Sequence, residues 1–474
     1  MRSEKLDLIA VGGGIAGLTA ANRAAQLGLK AVVLEKGAAE KYLCNTRYTG
    51  GTLHVCMGDI MAGEQALLNA IERLCAGIAR PDLARAVARN AERAVRWLQG
   101  EGLKFLRASG SPHHRWVLAP PGRTRPGLDW KGRAGDVLLR RLGDNFAERG
   151  GRLIRDARVR HPLMEGERCI GVTADIVGAP TEYHARSVVL ADGGFQSALD
   201  LVREYISPHP EKLHQRNAGT GTGDGLRLAQ EAGAAILGMD RFYGHLLSID
   251  APTNERLWPY PYLDSIATAG IIIGRDGKRF TDEGLGGVYA ANSVASLADP
   301  LSATIVFDQA IWEGAGRNGL IPANPHLPRE SGTMHEAPSL AALAELIGAP
   351  AAALEATVAA YNAAVDAGTI GSLTPPRRTY KGAPVAIRTP PFYATPVCAG
   401  ITYTMGGIAI DGHARVLRPD DTAIDGLYAA GATTGGLEGG AAVGYVGGLA
   451  KSVVTGLCAA EHAAGWRQPS AGHS

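Results

Sequence analysis

The first part of the chain alternates short apolar runs with helix-forming segments. Residues 6–11 form a mostly apolar run, and residues 18–27 are rich in helix formers up to Gly28, a residue type that commonly follows a helix end. Residues 31–34 form a second apolar run. Because parallel strands need a helical crossover, this order predicts a parallel strand–helix–strand unit whose first turn lies at the carboxyl ends of the strands.

Changes of pattern farther along predict how the chain is divided. Helical patterns continue over 63–100 and 136–149, and residues 187–190 form another apolar strand before a glycine-rich turn. From Arg241 to about Pro390 the chain holds more proline and fewer strand–helix signals, which then return. We therefore predict an α/β fold in which a Rossmann-like nucleotide-binding domain, residues 1–240 and 391–474, is split by an α+β capping domain at residues 241–390.

Composition and charge exclude several classes of protein. The 48 Lys and Arg nearly balance the 46 Asp and Glu, so binding to nucleic acid by bulk charge is not expected. Without an apolar leader or a run of about 20 apolar residues, we expect neither a signal peptide nor a membrane span. The six cysteines form no Cys-x-x-Cys pair, which argues against structural zinc and c-type haem and favours a reducing, cytoplasmic location.

The turn after the first strand carries a dinucleotide-binding fingerprint. Gly12, Gly14 and Gly17 have the spacing Gly-x-Gly-x-x-Gly, and Glu35 ends the second strand. Gly12 permits the tight turn, Gly14 lets the backbone approach a pyrophosphate, and Gly17 allows close helix packing. Glu35 can accept hydrogen bonds from an adenosine ribose, while the helix start offers N–H groups to the phosphates.

Further glycines extend this predicted cofactor site. The chain has 63 glycines, about twice the roughly 7% that is typical, and a flavin ring needs glycines where the backbone approaches it. No second dinucleotide fingerprint appears, so we expect one bound dinucleotide and disfavour separate FAD and NAD(P)H sites. The predicted cofactor-binding residues are Gly12, Gly14, Ile15, Ala16, Gly17, Glu35, Lys36, Asn45, Thr46, Thr49, Gly50, Gly51, Ala191, Asp192, Gly193, Asp224, Gly431, Gly447, Gly448 and Leu449.

Seven motifs, in order and spacing, resemble the fumarate reductase and succinate dehydrogenase flavoprotein family, including its soluble 3-ketosteroid and tricarballylate dehydrogenases. They lie at residues 12–35, 45–51, 189–194, 221–225, 277–283, 403–407 and 426–448. The resemblance implies an FAD enzyme that transfers hydride between flavin N5 and a carbon beside a carbonyl or carboxylate. Covalent members attach FAD through a His shortly before the first Gly-Gly. This chain has Cys44-Asn45 there, so we expect noncovalent FAD.

The substrate motifs depart from those of the dicarboxylate members. Where those members carry an Arg, a His and a second Arg, this chain has Tyr289 nearby, Tyr403 and Tyr445. A phenol does not replace a bidentate guanidinium clamp on a carboxylate, but it can donate to a ketone oxygen or take an α-proton. We predict Tyr403 and Tyr445 as catalytic residues, with Tyr289 and His245 as further candidates.

These departures favour an FAD-dependent oxidoreductase that introduces or reduces a double bond beside the carbonyl of a small or cyclic compound. Its partners would be that small molecule and an unidentified electron acceptor or donor. One alternative is a tricarballylate-type polycarboxylate dehydrogenase that holds carboxylates with Arg47 or Arg133. Others are a catalytically silent flavoprotein that serves as a binding subunit and a plain NAD dehydrogenase. The aromatic stretch at Trp258, Tyr260 and Tyr262 is either a lid over a cyclic substrate or a patch at the domain contact.

Overall fold

The structure is a computed structural model that describes residues 5–75, 77–108, 110–121 and 126–465. The helices are α1 (Ile15–Gln26), α2 (Asn45–Tyr48), α3 (Glu64–Cys75), α4 (Pro81–Gly100), α5 (Ala134–Glu148), α6 (Leu199–Tyr205), α7 (Asp224–Glu231), α8 (Asp264–Ala269), α9 (Gly287–Ala295), α10 (Gln309–Glu313), α11 (Ala323–Arg329), α12 (Leu340–Ile347), α13 (Ala351–Asp366) and α14 (Gly448–Ala463). The strands are β1 (Leu6–Val11), β2 (Ala31–Leu34), β3 (His54–Val55), β4 (Gly58–Asp59), β5 (Phe105–Leu106), β6 (Val117–Leu118), β7 (Arg152–Ile154), β8 (Ala157–Glu165), β9 (Arg168–Ile176), β10 (Ala179–Leu190), β11 (His214–Gln215), β12 (Ile236–Leu237), β13 (Phe242–Ser248), β14 (Ile271–Ile273), β15 (Thr304–Asp308), β16 (His335–Ala337), β17 (Phe392–Thr404), β18 (Gly407–Ala409), β19 (Arg415–Leu417), β20 (Ala423–Ala429) and β21 (Thr434–Gly435).

The predicted strand–helix–strand unit lies at the centre of the largest sheet. The strand order is β19–β20–β10–β1–β2–β7, and β1 pairs in parallel with both β2 and β10. β8 and β9 continue the sheet from β10 as antiparallel strands. Ile9, Val32 and Val33 are fully buried, because side chains on both faces of a central parallel strand leave water. This burial explains the near-continuous apolar runs in the sequence.

Helices α1 and α14 pack against each other, and the glycine turn that precedes each helix lies beside the same cavity. A Cβ added to Gly456 of α14 would lie 2.7 Å from the carbonyl oxygen of Ala16, so the glycine allows the two helix backbones to come close. The helices begin after Gly14 and Gly447. Ile15 and Gly448, at their first positions, line one cavity, so two helix amino-termini meet there.

A second sheet holds the four described strands of the predicted insertion, β13, β14, β15 and β16. Its order is β11–β17–β15–β14, and β13 and β16 also pair with β17. In the β13–β17 register, Tyr243 lies opposite Tyr403. Because β17 spans Phe392–Thr404, this sheet continues past residue 390, and the division at 241 and 390 stays a prediction.

The other predicted elements are confirmed with small shifts. The pattern over 63–100 is two helices, α3 and α4, because Pro81 starts a new helix. The pattern over 136–149 is α5, and residues 187–190 are the end of the longer strand β10. Among the described residues, none of the helices combines the length and apolar character that crossing a membrane requires.

Candidate active site

A cleft of about 110 Å³ opens where β1 meets α1. Gly12 has a φ of 103°, and a Cβ on Gly17 would lie 2.0 Å from the Gly12 carbonyl oxygen, so only glycine lets α1 start this close to the strand. The backbone N–H groups of Gly14 and Ala16 have no hydrogen-bond partner in the described ranges. Unpartnered N–H groups at a helix start suit phosphate oxygens.

Glu35, at the end of β2, is fixed by the backbone beside the cleft. Its two carboxylate oxygens accept hydrogen bonds from the N–H groups of Gly13 and Gly37, each at 2.7 Å. Burial raises the pKa of Glu35. A carboxylate oxygen can accept more than one hydrogen bond, so this fixed side chain retains lone pairs for a ribose hydroxyl.

Lys36 and Asp224 form an ion pair in the lining of the same cleft. The Nζ of Lys36 lies 3.1 Å from Oδ2 of Asp224, and Arg158 lies 3.0 Å from the other oxygen. Burial acts to raise the pKa of Asp224, but the charges of Lys36 and Arg158 lower it overall. The charged groups therefore stabilise one another at this end of the cleft.

Asp192 and Gln196 supply buried acceptors that have no partner. Oδ2 of Asp192 accepts from the Gly225 N–H at 2.7 Å, whereas Oδ1 of Asp192 and Oε1 of Gln196 have no hydrogen-bond partner among the described residues. Burial raises the pKa of Asp192 to about 6. A buried acceptor without a partner is costly, so a ligand with hydroxyl or amide donors is favoured here. The glycine turn, the unpartnered donors and these acceptors together fit a dinucleotide.

Most of the predicted cofactor residues line this cleft or the cavity next to it. The cleft is lined by Gly12, Gly14, Ile15, Ala16, Glu35, Lys36, Asn45, Thr46, Ala191, Asp192, Gly193 and Asp224. A cavity of about 450 Å³ shares Ile15, Asn45 and Thr46 with the cleft and adds Thr49, Gly50, Gly448 and Leu449. Gly17, Gly51, Gly431 and Gly447 line neither space; a Cβ on any of them would lie between 2.0 and 2.8 Å from a neighbouring atom. These four glycines allow close packing around the site.

Three phenols, which we call the tyrosine wall, line the larger cavity: Tyr243, Tyr403 and Tyr445. The rings of Tyr243 and Tyr445 stack with centroids 3.9 Å apart and planes 18° apart. The Tyr403 ring lies 5.6 Å from Tyr243. The structure thus brings the two predicted tyrosines together and adds Tyr243, which we did not select from the sequence.

The hydroxyl of Tyr403 is committed to a buried ion pair. It lies 3.0 Å from both carboxylate oxygens of Glu438, and Glu438 lies 2.7 Å from Lys451. Both charged side chains are almost completely buried. Burial and the charge of Glu438 raise the pKa of Tyr403 well above its usual value. Its single proton points to Glu438, so Tyr403 presents only a lone pair to the cavity.

The hydroxyl of Tyr445 has the opposite arrangement. Its oxygen accepts a hydrogen bond from the Gly448 N–H at 3.2 Å, and no acceptor for its proton lies among the described residues. Burial raises the pKa of Tyr445, so the phenol is neutral and keeps that proton. Tyr445 is therefore the member of the tyrosine wall that is free to donate a hydrogen bond to a ligand.

Tyr243 is the outer end of a buried relay. Its hydroxyl lies 3.0 Å from Nε2 of His245, and Nδ1 of His245 lies 2.6 Å from Oδ2 of Asp264. Burial lowers the pKa of His245 from its usual 6.5, and burial together with the nearby Tyr445 raises the pKa of Tyr243. A neutral His245 that donates to Asp264 through Nδ1 accepts the Tyr243 proton at Nε2. The arrangement can therefore move a proton between the cavity and His245.

The other two catalytic candidates do not line the cavity. His245 is covered by Tyr262, whose ring stacks on it at 4.3 Å and 17°, so it reaches the cavity through Tyr243. Tyr289 lies on α9, and its side chain is absent from the lining of the cleft and of the cavity. A catalytic role for Tyr289 therefore stays a prediction that the lining of these two spaces does not support. The uncertain loop spacing before α9 left this open in the sequence.

Arginines, and aromatic side chains outside the tyrosine wall, complete the lining of the cavity. Arg47 forms an ion pair with Asp136, and Arg133 lies 3.1 Å from Asp129. Trp258 and Tyr260 line the cavity, and the Tyr262 ring lies 5.5 Å from the Tyr260 ring. Arg216 also lines it. No motif in the sequence points to Arg216, because it lies between a short strand and a glycine-rich turn.

Comparisons with known proteins agree with this geometry. The family model described as "FAD binding domain" matches residues 7–445. The chain is 29% identical over 377 residues to the NADH:acrylate oxidoreductase of Vibrio harveyi, covering 77% of this chain and 35% of that protein. It is 27% identical over 530 residues to the 4-oxocyclohexanecarboxylate 2-dehydrogenase of Sinomonas cyclohexanicum, covering 93% and 89%. The chain thus spans less than half the length of the first curated relatives it matches.

A solved structure has the same fold over 98% of this chain. It is the 3-ketosteroid delta1-dehydrogenase of Sterolibacterium denitrificans in complex with 1,4-androstadiene-3,17-dione, with a TM-score of 0.75, 22% identity, and coverage of 98% of this chain and 100% of that one. The predicted α/β flavoprotein fold is confirmed. From the fingerprint, the fitting cleft and the match over residues 7–445, the chain belongs to the FAD binding domain family, as its resemblance to the fumarate reductase flavoproteins predicted, and its cofactor is FAD.

Proposed function

We propose that this chain is an FAD-dependent oxidoreductase that forms or reduces a carbon–carbon double bond beside the carbonyl group of a small or cyclic compound. The observation that carries the proposal is the tyrosine wall, in which three neighbouring phenols have different hydrogen-bonding states. The cleft residues would hold FAD, which would supply the hydride-transfer chemistry when bound. The residues of the chain must then polarise the carbonyl and move one proton at the neighbouring carbon.

Tyr445 polarises the substrate carbonyl. Its O–H is free because no acceptor for its proton lies among the described residues, while its oxygen accepts from the Gly448 N–H. A hydrogen bond to the carbonyl oxygen stabilises the negative charge that develops there when the α-proton leaves. Gly448 begins α14, so the helix start fixes the position of the phenol oxygen.

Tyr243 moves the α-proton, with His245 and Asp264 behind it. In the oxidative direction, the Tyr243 oxygen takes the α-proton while its own proton passes to Nε2 of His245. Asp264 then stabilises the imidazolium that forms. In the reductive direction the same proton moves from His245 through Tyr243 to the substrate carbon. A free phenolate, which burial makes costly, is never required.

Tyr403 is a positioning residue in this proposal, although the sequence favoured it as a catalytic one. Its proton is held by Glu438, and Gly448 lies against its ring: a Cβ on Gly448 would be 3.2 Å away. It supports the wall opposite Tyr243 in the β13–β17 register.

A carbonyl substrate is favoured over a polycarboxylate. The two arginines proposed for the polycarboxylate alternative, Arg47 and Arg133, are already neutralised by Asp136 and Asp129. The names of two relatives describe enzymes that act on cyclic ketones, 4-oxocyclohexanecarboxylate and 3-oxosteroids. These names support a cyclic ketone as the substrate of this chain. Because acrylate, named for another relative, is an open-chain compound, the test of the proposal also includes open-chain compounds.

The test is anaerobic mixing of the yellow protein with saturated ketones and with carboxylates, including tricarballylate. We expect a cyclic ketone to bleach the flavin absorbance and tricarballylate not to. The dithionite-reduced protein is mixed separately with the matching α,β-unsaturated ketones, which should restore the absorbance if reduction is the favoured direction. Bleaching by tricarballylate alone would favour the polycarboxylate reading. No change with any compound, in either direction, would favour a silent binding subunit.

The expectation of noncovalent FAD has its own simple test. Cys44 stands where covalent members have their His. Acid precipitation should therefore leave the yellow colour in the supernatant and none in the pellet. Colour that stays with the precipitated protein would show a covalent link.

A further inference from the structure

Arg216 places a positive charge in the cavity without a carboxylate partner. It follows strand β11, and its backbone N–H donates to the carbonyl of Ile401 on β17 at 2.9 Å. Its Nε donates to the Pro259 carbonyl at 3.2 Å, and its Nη1 donates to Oγ1 of Thr402 at 2.9 Å. Nη2 has no hydrogen-bond partner within the described ranges, and no carboxylate there pairs with the side chain.

This arrangement differs from that of the other two arginines in the cavity lining. Arg47 and Arg133 each have an aspartate within ion-pairing distance. Arg216 is only 9% exposed, and its guanidinium lies 5.5 Å from the centre of the Tyr260 ring. Neutral oxygens and an aromatic face hold the guanidinium in place but leave its charge uncompensated. Holding a charge that is nine-tenths buried in this state is costly, so an anion supplied by a ligand would be strongly favoured.

The position of Arg216 connects it to the tyrosine wall. It bonds to Thr402, the residue before Tyr403, and all of these side chains line the same cavity. Burial raises the pKa values of Tyr243 and Tyr445, and the charge of Arg216 opposes this rise at both. A ligand in the cavity can therefore reach Arg216 and the phenols together. A planar guanidinium with free N–H groups matches a carboxylate in particular.

We propose that Arg216 binds a carboxylate carried by the substrate, so that this chain acts on keto acids or on enone acids rather than on neutral ketones. The inference rests on the proposed function for the reacting carbonyl, which Tyr445 and Tyr243 handle. Arg216 adds the second contact, which orients the substrate and selects its class.

Binding of ligands that cannot react separates this inference from the proposed function. The flavin-loaded protein is titrated with cyclohexanecarboxylate and with cyclohexanecarboxamide, and each dissociation constant is read from the change in flavin absorbance. We expect the carboxylate to bind more tightly than the amide. Arg216→Met should weaken the carboxylate about 10- to 100-fold, the range of a charge-assisted hydrogen bond, and change the amide by less than about threefold.

Two further variants keep the test clear. Arg216→Lys retains the charge without the planar fork, so it should recover part of the carboxylate affinity and it protects the test if Arg216→Met does not fold. Arg133→Gln is the matched comparison, because it removes a cavity arginine that Asp129 already neutralises. We expect it to change carboxylate affinity by less than about threefold.

Several outcomes would overturn the proposal. Equal loss of carboxylate and amide binding in Arg216→Met would mean that Arg216 only shapes the cavity. A changed flavin reduction potential without any discrimination between the two ligands would mean that its charge acts on the cofactor. Equal binding of both ligands by the unaltered protein would remove the anion site, even if a neutral ketone bleaches the flavin. Tight carboxylate binding, with no bleaching by any saturated ketone and no reoxidation of the reduced flavin by any unsaturated one, would instead keep the anion site and reject the proposed function.

Discussion

The cofactor cleft and the tyrosine wall adjoin each other, but they are built from different parts of the chain. The cleft depends on backbone at its first turn: Gly12 and Gly17 bring β1 and α1 together, and the N–H groups of Gly14 and Ala16 have no hydrogen-bond partner in the described part of the chain. The wall is made of side-chain hydroxyls. Their proton directions are set by groups behind them, such as Glu438. Function at this turn of the cleft therefore depends on the absence of side-chain atoms, whereas function in the cavity depends on the placement of single protons.

The largest effect should come from adding atoms to the cleft. In Gly17→Val, the new side chain would collide with the Gly12 carbonyl oxygen, because even a Cβ would lie 2.0 Å from it. Overpacking of this kind costs about 1–3 kcal/mol or more, and the turn that binds the pyrophosphate must move. We expect the purified variant to lack the FAD absorbance, measured against protein concentration.

Gly143→Ala on α5 is the matched control. Nothing lies within 4 Å of a Cβ built there, so the substitution should keep FAD and raise helix stability by up to about 1 kcal/mol. Full FAD content in Gly17→Val would show that the close approach of α1 to β1 is not needed for the cofactor.

The two regions also differ in what the sequence could predict. The glycine spacing predicts the cleft because each glycine is required by the local backbone conformation or by a close approach of the backbone. Most of the residues predicted there line the cleft. The tyrosine wall depends on β13 and β17, which are about 150 residues apart in the chain and place Tyr243 opposite Tyr403. From the sequence, the predicted catalytic residue on this strand is His245, which lies two residues after Tyr243 on the same strand face. Only the tertiary structure shows that Tyr262 covers His245 while Tyr243 stays in the cavity lining.

The unpaired state of Arg216 could not be predicted from the sequence for a related reason. An arginine beside a glycine-rich turn is usually solvated or paired, and whether a carboxylate reaches it is decided by chain segments that are distant in sequence. Here Pro259 and Thr402 reach it instead, both through neutral oxygens. The absence of a partner is a property of the packing, so no local motif reports it.

The next largest effect should distinguish two tyrosines that look alike in the sequence. Tyr445→Phe removes the free donor and should lower turnover about 10²-fold, a usual size for an acid–base or polarising contribution, with FAD still bound. Tyr403→Phe removes a hydroxyl whose proton is already held by Glu438, so turnover should fall less than about tenfold. Steady-state kinetics on the ketone that bleaches the flavin, with FAD content measured in parallel, gives both values. Equal losses in the two variants would mean that hydrogen-bond direction does not distinguish their roles.

The smallest effect is a dependence on pH that arises from the relay behind the wall. His245 must be neutral for Nε2 to accept the Tyr243 proton, and burial lowers the pKa of His245 from its usual 6.5. The neutral fraction therefore stays high above pH 6.5 and is lost as the pH falls through the lowered pKa, so the rate of oxidation should be level from neutral pH upward and fall on the acidic side. The substrate for this measurement is the ketone that bleaches the flavin, used over a pH range in which the charge of that compound does not change. His245→Gln should lower the rate about tenfold or more and remove the acidic fall, since no titrating group then accepts the proton. An acidic fall that persists unchanged in His245→Gln would place the titrating group elsewhere, and Tyr243 would then act without the relay.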